Sequence, residues 1–270
     1  MFTRLFANLF KNVIHLRINV PLSPKVTSQV LKQVSKFHIY KPKAIALSVD
    51  SLGQSLVQGE IIAKAISNKA KELQCPYYTF AENLALGSGY LLLASGNKVH
   101  VGPHSLIGGV SSSYMGIGLV KALKQWKIKN TTIATNEIHI NPLEEVRPVD
   151  EKWIKDMLTS QNEALKCAIK IYRKQALESE LVNKGDVFIG NKACEQGLAD
   201  GVNDFYSVIS SEFPNARVVN IPFDDNKGGV FGAEIMDELM GGEISREVLD
   251  EITGFSSDDL ALQLRAKVNF

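Results

Sequence analysis

The sequence feature that most constrains the fold is a change of hydrophobic pattern within residues 79–95. Before the change the segment is typical of a β-strand, whereas from Tyr90 onwards five apolar residues follow without interruption. Between the two parts lie polar residues 82–83 and a Gly-Ser-Gly sequence at 87–89. This order predicts a buried strand, a sharp corner at 82–83, a tight turn and a helix that starts near Tyr90. Such a turn presents one side chain and several backbone N–H groups to a cleft.

Strand patterns and helix patterns alternate along the chain. Residues 44–49 form a nearly continuous apolar run, residues 57–70 carry apolar side chains at helical spacing, and residues 75–80 form the next strand pattern. The alternation predicts an α/β fold with a parallel sheet covered by helices and a ligand cleft at the carboxyl ends of its strands. Gly53 and Gly87 follow two of these strands, so both should face that cleft. Other predicted elements are a strand at 13–20, a helix at 27–37 capped by Thr27 or Ser28, a helix near 119–126, a strand at 131–135, a loop at 136–150 and a helix at 150–177.

Charge is distributed unevenly along the 270 residues, although the net charge is only +1. Residues 1–49 contain no Asp or Glu, whereas residues 224–259 contain 11 acidic residues and two basic ones. The two ends of the chain therefore carry charges of opposite sign. This distribution favours docking to protein partners over binding of nucleic acid by one basic face. No apolar run is long enough to span a bilayer.

Both ends of the chain carry amphipathic patterns. Residues 1–12 have apolar side chains at helical spacing, with Arg4 and Lys11 between them, which is typical of a mitochondrial presequence. The alternatives are a surface helix and an anchor that lies on a membrane. Residues 223–270 are acidic, with a narrow apolar stripe that predicts a helical tail. This stripe could pack on the parent domain or bind a partner.

The cysteines and histidines predict neither a disulfide framework nor a metal site. The three cysteines form no Cys-x-x-Cys motif, and an odd number leaves one unpaired, which favours a reducing compartment. His100 and His104 are four residues apart, but Gly102 and Pro103 interrupt the helix that would place both on one face. We therefore expect no metal and no cofactor.

Four short motifs occur in order: Val-Asp-Ser-Leu-Gly-Gln at 49–54, Ala-Leu-Gly-Ser-Gly-Tyr at 85–90, Gly-Gly-Val at 108–110, and Gly-Asn-Lys-Ala at 190–193 with Gly-Leu-Ala-Asp at 197–200. Together they resemble the signal peptide peptidase A family (protease IV, SohB-like) of Ser-Lys serine peptidases. The resemblance implies the ClpP/crotonase superfold, a spiral of ββα units, for residues 13–222. It leaves the basic segment 1–12 and the acidic extension 223–270 outside.

The resemblance also implies which positions carry chemistry, and several of them have changed. The family's nucleophilic serine falls on Gly87, and its general-base lysine falls on His139, in the loop after the predicted strand at 131–135. Gly109 replaces a serine that steadies the lysine. The family's corner that supplies oxyanion-binding N–H groups matches residues 50–54 of this sequence. Gln54 stands in place of the second glycine of that corner. The backbone positions matched to the oxyanion site are Gly53, Gln54 and Ser88.

Three functions follow from these residues. Because glycine has no side chain to attack a carbonyl, we expect a non-catalytic, peptidase-like subunit of a protein complex in the mitochondrion. Its partners would be other subunits that contact the two charged termini, with a homo-oligomer and a peripheral membrane contact left open and no nucleic acid expected. The alternative is an active serine peptidase that uses a rearranged dyad of Ser88 and His139. Ser88 could instead serve only as a helix N-cap. A third possible function is acyl-CoA binding, which other proteins of the same superfold carry out, and only the fold points to it.

Overall fold

A computed structural model describes residues 12–116, 118–129, 131–133, 135, 141 and 143–221. Within these residues the strands are β1 (Asn12–Ile18), β2 (Ala44–Ser51), β3 (Tyr77–Leu86), β4 (Lys98–Val101), β5 (Leu106–Gly108), β6 (Val187–Ile189), β7 (Gly201–Val202) and β8 (Arg217–Ile221). The α-helices are α1 (Pro24–Val34), α2 (Leu56–Glu72), α3 (Ser88–Ala94), α4 (Val120–Gln125), α5 (Pro148–Tyr172), α6 (Glu180–Lys184), α7 (Asn191–Glu195) and α8 (Phe205–Glu212). Two 3₁₀ turns span Phe37–Tyr40 and Lys174–Glu178.

The described strands form one mostly parallel sheet in the order β6-β5-β3-β2-β1-β8, and β4 and β7 branch from β3. Only the β5–β6 pair is antiparallel. All but one residue of β2 are buried, as expected for a strand covered on both faces. The predicted α/β class, with a parallel sheet covered by helices, is confirmed.

Helices α1, α2, α3 and α5 cover one face of the sheet. Their apolar side chains meet the inward-facing residues of β1 and β2 in the main core, where Ile62, Leu91 and Ile169 are fully buried. Burial of each such side chain contributes roughly 1.5–3 kcal/mol. Helix α8 covers the opposite face and forms a smaller core with β1, β2 and β3 around Phe80 and Phe205.

The predicted corner at residues 82–83 is an irregularity within strand β3 and not its end, because the β2–β3 register shifts between the Val49–Ala81 and Ser51–Ala85 pairs. On one edge β3 pairs with β4 through residues 78–81 and then with β5 through residues 84–86, so the strand runs through to Leu86. Buried Ser105 lies at the fork, where its hydroxyl is 3.1 Å from Ala81 O and 2.5 Å from Glu82 O. Side-chain hydrogen bonds to these carbonyls replace the ladder bonds that the fork interrupts.

Three other predicted elements have different boundaries. The helix predicted at 27–37 begins at Pro24, because Ser23 rather than Thr27 or Ser28 is the cap and accepts a bond from Val26 N. The strand predicted at 131–135 is wrong for its described residues, none of which lies in a strand, and Ile133 is 95% exposed. Helix α5 ends at Tyr172, and the side chain of Arg173 pairs with Asp200.

The predicted terminal segments fall mostly on residues that the structure does not describe. The basic segment 1–12 includes only Asn12 among the described residues, and the acidic extension at 223–270 lies wholly outside them. The domain boundaries and the helical tail therefore stay predictions. In the described part of the chain, no helix has both the length and the hydropathy needed to cross a membrane.

Candidate functional site

Gly87 lies at a sharp turn between β3 and α3. Its backbone angles are φ 55° and ψ −119°, a region that favours glycine. Gly87 N donates to Gly108 O at 3.0 Å, and Gly87 O accepts from Leu91 N at 3.1 Å. A Cβ atom placed on Gly87 would lie 3.7 Å from Gly109 O and 3.8 Å from Leu52 O, which are ordinary contact distances. This strand–turn–helix geometry is the one that nucleophile elbows use. The space around Gly87 could hold a small side chain, but glycine has none.

Ser88 lies at the first residue of α3, and its side chain is turned into the protein. It is only 6% exposed. A Cβ atom on Gly53 would lie 2.5 Å from Ser88 Oγ, and one on Gly59 would lie 3.1 Å from Ser88 Cβ. The hydroxyl therefore packs between the corner after β2 and helix α2. Since successive helix residues are rotated by about 100°, Ser88 does not take the direction of a side chain on Gly87.

The predicted capping role of Ser88 is wrong. Gly87 is the N-cap residue of α3, and no side chain caps this helix. His139 lies outside the described residues, so the dyad of Ser88 and His139 stays a prediction.

The corner at residues 50–54 is held by its own hydrogen bonds. Gly53 N donates to Ser51 Oγ at 3.1 Å, and Ser51 Oγ donates to Val20 O at 2.9 Å. Gly53 O accepts from Leu22 N at 3.0 Å. The Gly53 N–H that was matched to an oxyanion site is thus engaged in this conformation. Gln54 is exposed and has a φ of 78°. The roles of Gln54 N and Ser88 N in binding an oxyanion stay predictions.

Gly109 faces the turn from the β5 side. Gly109 N donates to Asp186 O at 3.0 Å, which ties the residue to the segment before β6. A Cβ atom on Gly109 would lie 3.4 Å from Leu86 Cβ and 3.7 Å from Val187 Cγ2, so a small side chain at this position would contact the end of β3. The Gly87 turn therefore has Leu52 on one side and Gly109 on the other.

Helix α3 is fixed at its base by a buried tyrosine. The hydroxyl of Tyr90 donates to Leu198 O at 3.1 Å, and burial raises the pKa of Tyr90. Arg173 forms a two-bond ion pair with Asp200, and the Arg173 side chain helps to hold the pKa of Asp200 below its usual value. The Tyr90 bond ties the first turn of α3 to the segment that follows α7. Sequence reasoning missed Ser51 and Ser105, although serines next to glycine-bearing corners are a general signal for such bonds.

Groups of three or more metal-ligating side chains are absent from the described residues. The described part of residues 111–149 also contains no buried residue. This segment, called the arm below, follows the Gly108-Gly109 turn and includes the position of His139. The described residues of the arm therefore contribute nothing to the buried core.

The family model of peptidase family S49 matches residues 69–217, more than half of the chain. This chain belongs to peptidase family S49. The match begins in α2, includes the Gly87 turn and ends in β8, so the resemblance drawn from the four motifs is confirmed. The match of the family model shows which family the chain belongs to. It does not show whether Gly87 and His139 have replaced catalytic residues.

Solved structures agree with the S49 fold. One similar structure is a lysine-to-alanine mutant of the 1510-N membrane-bound stomatin-specific protease in complex with a substrate peptide. Its TM-score is 0.51 at 12% identity, and the alignment covers 86% of this chain and 99% of that one. At such low identity the likeness supports the ClpP/crotonase-type fold alone.

Two curated proteins named Na(+)/H(+) antiporter NhaA are also similar to this S49 chain. They come from Brucella melitensis biotype 1 (strain ATCC 23456 / CCUG 17765 / NCTC 10094 / 16M) and Brucella abortus (strain 2308). Each is 24% identical over 173 residues, which are 63% of this chain and 24% of the relative. The chain thus spans about a quarter of their length.

Proposed function

We propose that this S49 chain is a pseudo-peptidase, without catalysis at the family's own site, that serves as a structural or assembly subunit of a larger mitochondrial complex. The observation that carries the proposal is that Gly87, which the motif resemblance matches to the family's serine, lies at the strand–helix turn without a side chain. An acyl-enzyme cannot form on a residue that has no nucleophilic atom.

Two further contacts support loss of chemistry. Ser88, the neighbouring hydroxyl, packs between Gly53 and Gly59 and is almost fully buried. The Gly53 N–H donates to Ser51 Oγ, so binding of a substrate oxyanion there would require this bond to break. A rearranged peptidase that uses Ser88 and His139 remains the second candidate, and it requires Ser88 to leave its packed position.

The arm supports a role in assembly. Its described residues include large apolar side chains that face solvent, with Met115 85% exposed, Trp126 67% exposed and Ile133 95% exposed. Exposed apolar residues at this density within one segment are typical of protein–protein contact surfaces. The acid-free start of the sequence supports import into the mitochondrion.

Purification of the native complex tests the proposal. We expect the tagged full-length chain to co-purify with a different protein in a fixed ratio from the mitochondrial fraction. The double substitution of Trp126→Ser and Ile133→Ser should abolish co-purification and leave the melting temperature within about 2 °C, because neither side chain is buried. The control is Ile171→Ser, a residue 71% exposed on α5 outside the arm, which should keep the partner. A native mass equal to a monomer or a simple homo-oligomer would contradict the subunit role.

A further inference from the structure

Three polar side chains on the sheet face opposite α2 and α3 form a continuous hydrogen-bonded relay. His15 in β1 lies between Ser48 in β2 and Asn220 in β8. His15 Nε2 is 2.8 Å from Ser48 Oγ, and His15 Nδ1 is 3.0 Å from Asn220 Oδ1. Because side chains alternate along a strand, all three project from the face that α8 partly covers. No part of the Gly87 turn enters this relay.

The surroundings of His15 fix which ring nitrogen carries the proton. Its ring stacks on Phe205 with centroids 4.0 Å apart and an angle of 16°, and burial lowers the pKa of His15. The neutral ring therefore predominates near pH 7. Asn220 Oδ1 can only accept, so Nδ1–H donates to it and Nε2 accepts the hydroxyl proton of Ser48. This is the order of nucleophile, base and orienting group found in serine and cysteine hydrolases.

An ion pair lies next to Ser48 on the same sheet face. Arg17 is directly opposite Ser48 in the β1–β2 register, and Arg17 Nε donates to Glu82 Oε2 at 2.8 Å. Since Glu82 belongs to β3, the pair crosses β2 on the sheet face that carries Ser48, which is only 1% exposed and has Phe80 opposite it in β3. The Arg17 and Glu82 side chains are themselves 55% and 28% exposed. Exposed pairs of this kind are weak and open readily, which would uncover Ser48.

We propose that Ser48, His15 and Asn220 form an acyl-accepting site covered by the Arg17–Glu82 pair. Ser48 Oγ attacks the carbonyl carbon of a small ester, and its proton moves to His15 Nε2. The new Oγ–C bond forms as the ester C–O bond breaks, and the proton passes from Nε2 to the departing alkoxide. The products are an O-acylated Ser48 and an alcohol. Arg17, once released from Glu82, donates hydrogen bonds to the oxyanion.

The site is tested with an alkyl fluorophosphonate probe on the full-length protein, followed by peptide mapping. The probe forms a bond between Ser48 Oγ and phosphorus while fluoride leaves. We expect Ser48 to be modified, with a rate that rises at least about fivefold in Glu82→Ala because the cover is removed. Asn220→Leu, which loses the orienting bond, should lower the rate at least about tenfold. Preincubation with 4-nitrophenyl acetate should protect Ser48.

Two control variants test whether modification of Ser48 depends on this site. Ser35 lies on the surface and bonds to Lys32 O, so Ser35→Ala should leave the Ser48 rate unchanged. His15→Phe keeps an aromatic ring against Phe205 but removes the base, and it should abolish modification while circular dichroism stays native. Absence of the probe from Ser48 in both wild type and Glu82→Ala would overturn the proposal, as would an unchanged rate in His15→Phe. Modification at Ser88 instead would count against the proposed function and not support this site.

Discussion

Two glycines with nearly the same backbone conformation show what a single residue decides in this fold. Gly87 precedes α3 with φ 55° and ψ −119°, and Gly190 precedes α7 with φ 47° and ψ −115°. A Cβ atom on Gly190 would lie 2.3 Å from Pro103 O, whereas one on Gly87 meets no atom closer than 3.7 Å. Packing therefore requires glycine at 190, and only the backbone angles favour it at 87.

The matched substitutions Gly87→Ala and Gly190→Ala separate these two causes. Both changes carry the same backbone strain, about 1–3 kcal/mol. Gly190→Ala adds a clash with a backbone carbonyl, so its free energy of unfolding should fall by at least about 2 kcal/mol more than that of Gly87→Ala. Urea denaturation of both variants measures the difference. Equal losses would show that the Gly87 turn is as closely packed as the Gly190 turn.

The sequence located the residues of the site better than their orientation. The Ala-Leu-Gly-Ser-Gly-Tyr motif identified Gly87 as the turn residue, because a glycine at a strand–helix junction leaves a local signal. It did not show that Ser88 packs on Gly59, since that contact joins helices far apart in sequence. The hydrogen bond from Gly53 N to Ser51 Oγ was likewise missed, because motif matching compares residue types and not bond partners.

At the level of elements, the alternation of strands and helices predicted the parallel sheet but not the fork in β3. Apolar periodicity reports which residues are buried, and it carries no information on whether one strand edge pairs with two successive strands. The sequence therefore indicated an irregularity at residues 82–83 but not that β3 continues through it to Leu86. The arm was predicted to contain a strand at 131–135, and its exposed residues have no neighbouring strand to pair with. A partner surface could supply the missing packing.

The sheet also makes the stability of the protein depend on pH. Burial lowers the pKa of His15 in β1 and of His100 in β4. Each imidazole has a lower pKa in the folded chain than in the unfolded chain, so the unfolded chain binds more protons between those two values. The free energy of unfolding should therefore be highest above pH 6.5 and fall as the pH drops towards 5.

Urea denaturation between pH 7.5 and pH 5 measures this dependence. The lower limit stays above the range in which most carboxylates titrate. His15→Phe should reduce the slope of unfolding free energy against pH, because one titrating group is removed. Ser35→Ala, which removes no titrating group, provides the control and should leave the slope unchanged. A flat profile in the wild type would contradict the lowered pKa of both rings.

For the whole molecule, family membership was predictable and activity was not. Four short motifs in order sufficed for the family because their spacing reflects the shared fold. The matched S49 region ends at residue 217, and the oppositely charged terminal segments lie outside it. These segments are not part of the matched family region, and we propose that they bind protein partners. Activity depends on the positions of a few atoms around Gly87.

The most direct measurement of the central claim is active-site labelling of the full-length protein at the position next to Gly87. Purified protein is treated with a fluorophosphonate, and the peptide that contains Ser88 is examined by mass spectrometry, with Ser88→Ala as the matched variant. The account predicts no modification of Ser88, because its hydroxyl packs between Gly53 and Gly59 and the turn itself has no nucleophile. Stoichiometric modification of Ser88 that disappears in Ser88→Ala would contradict it.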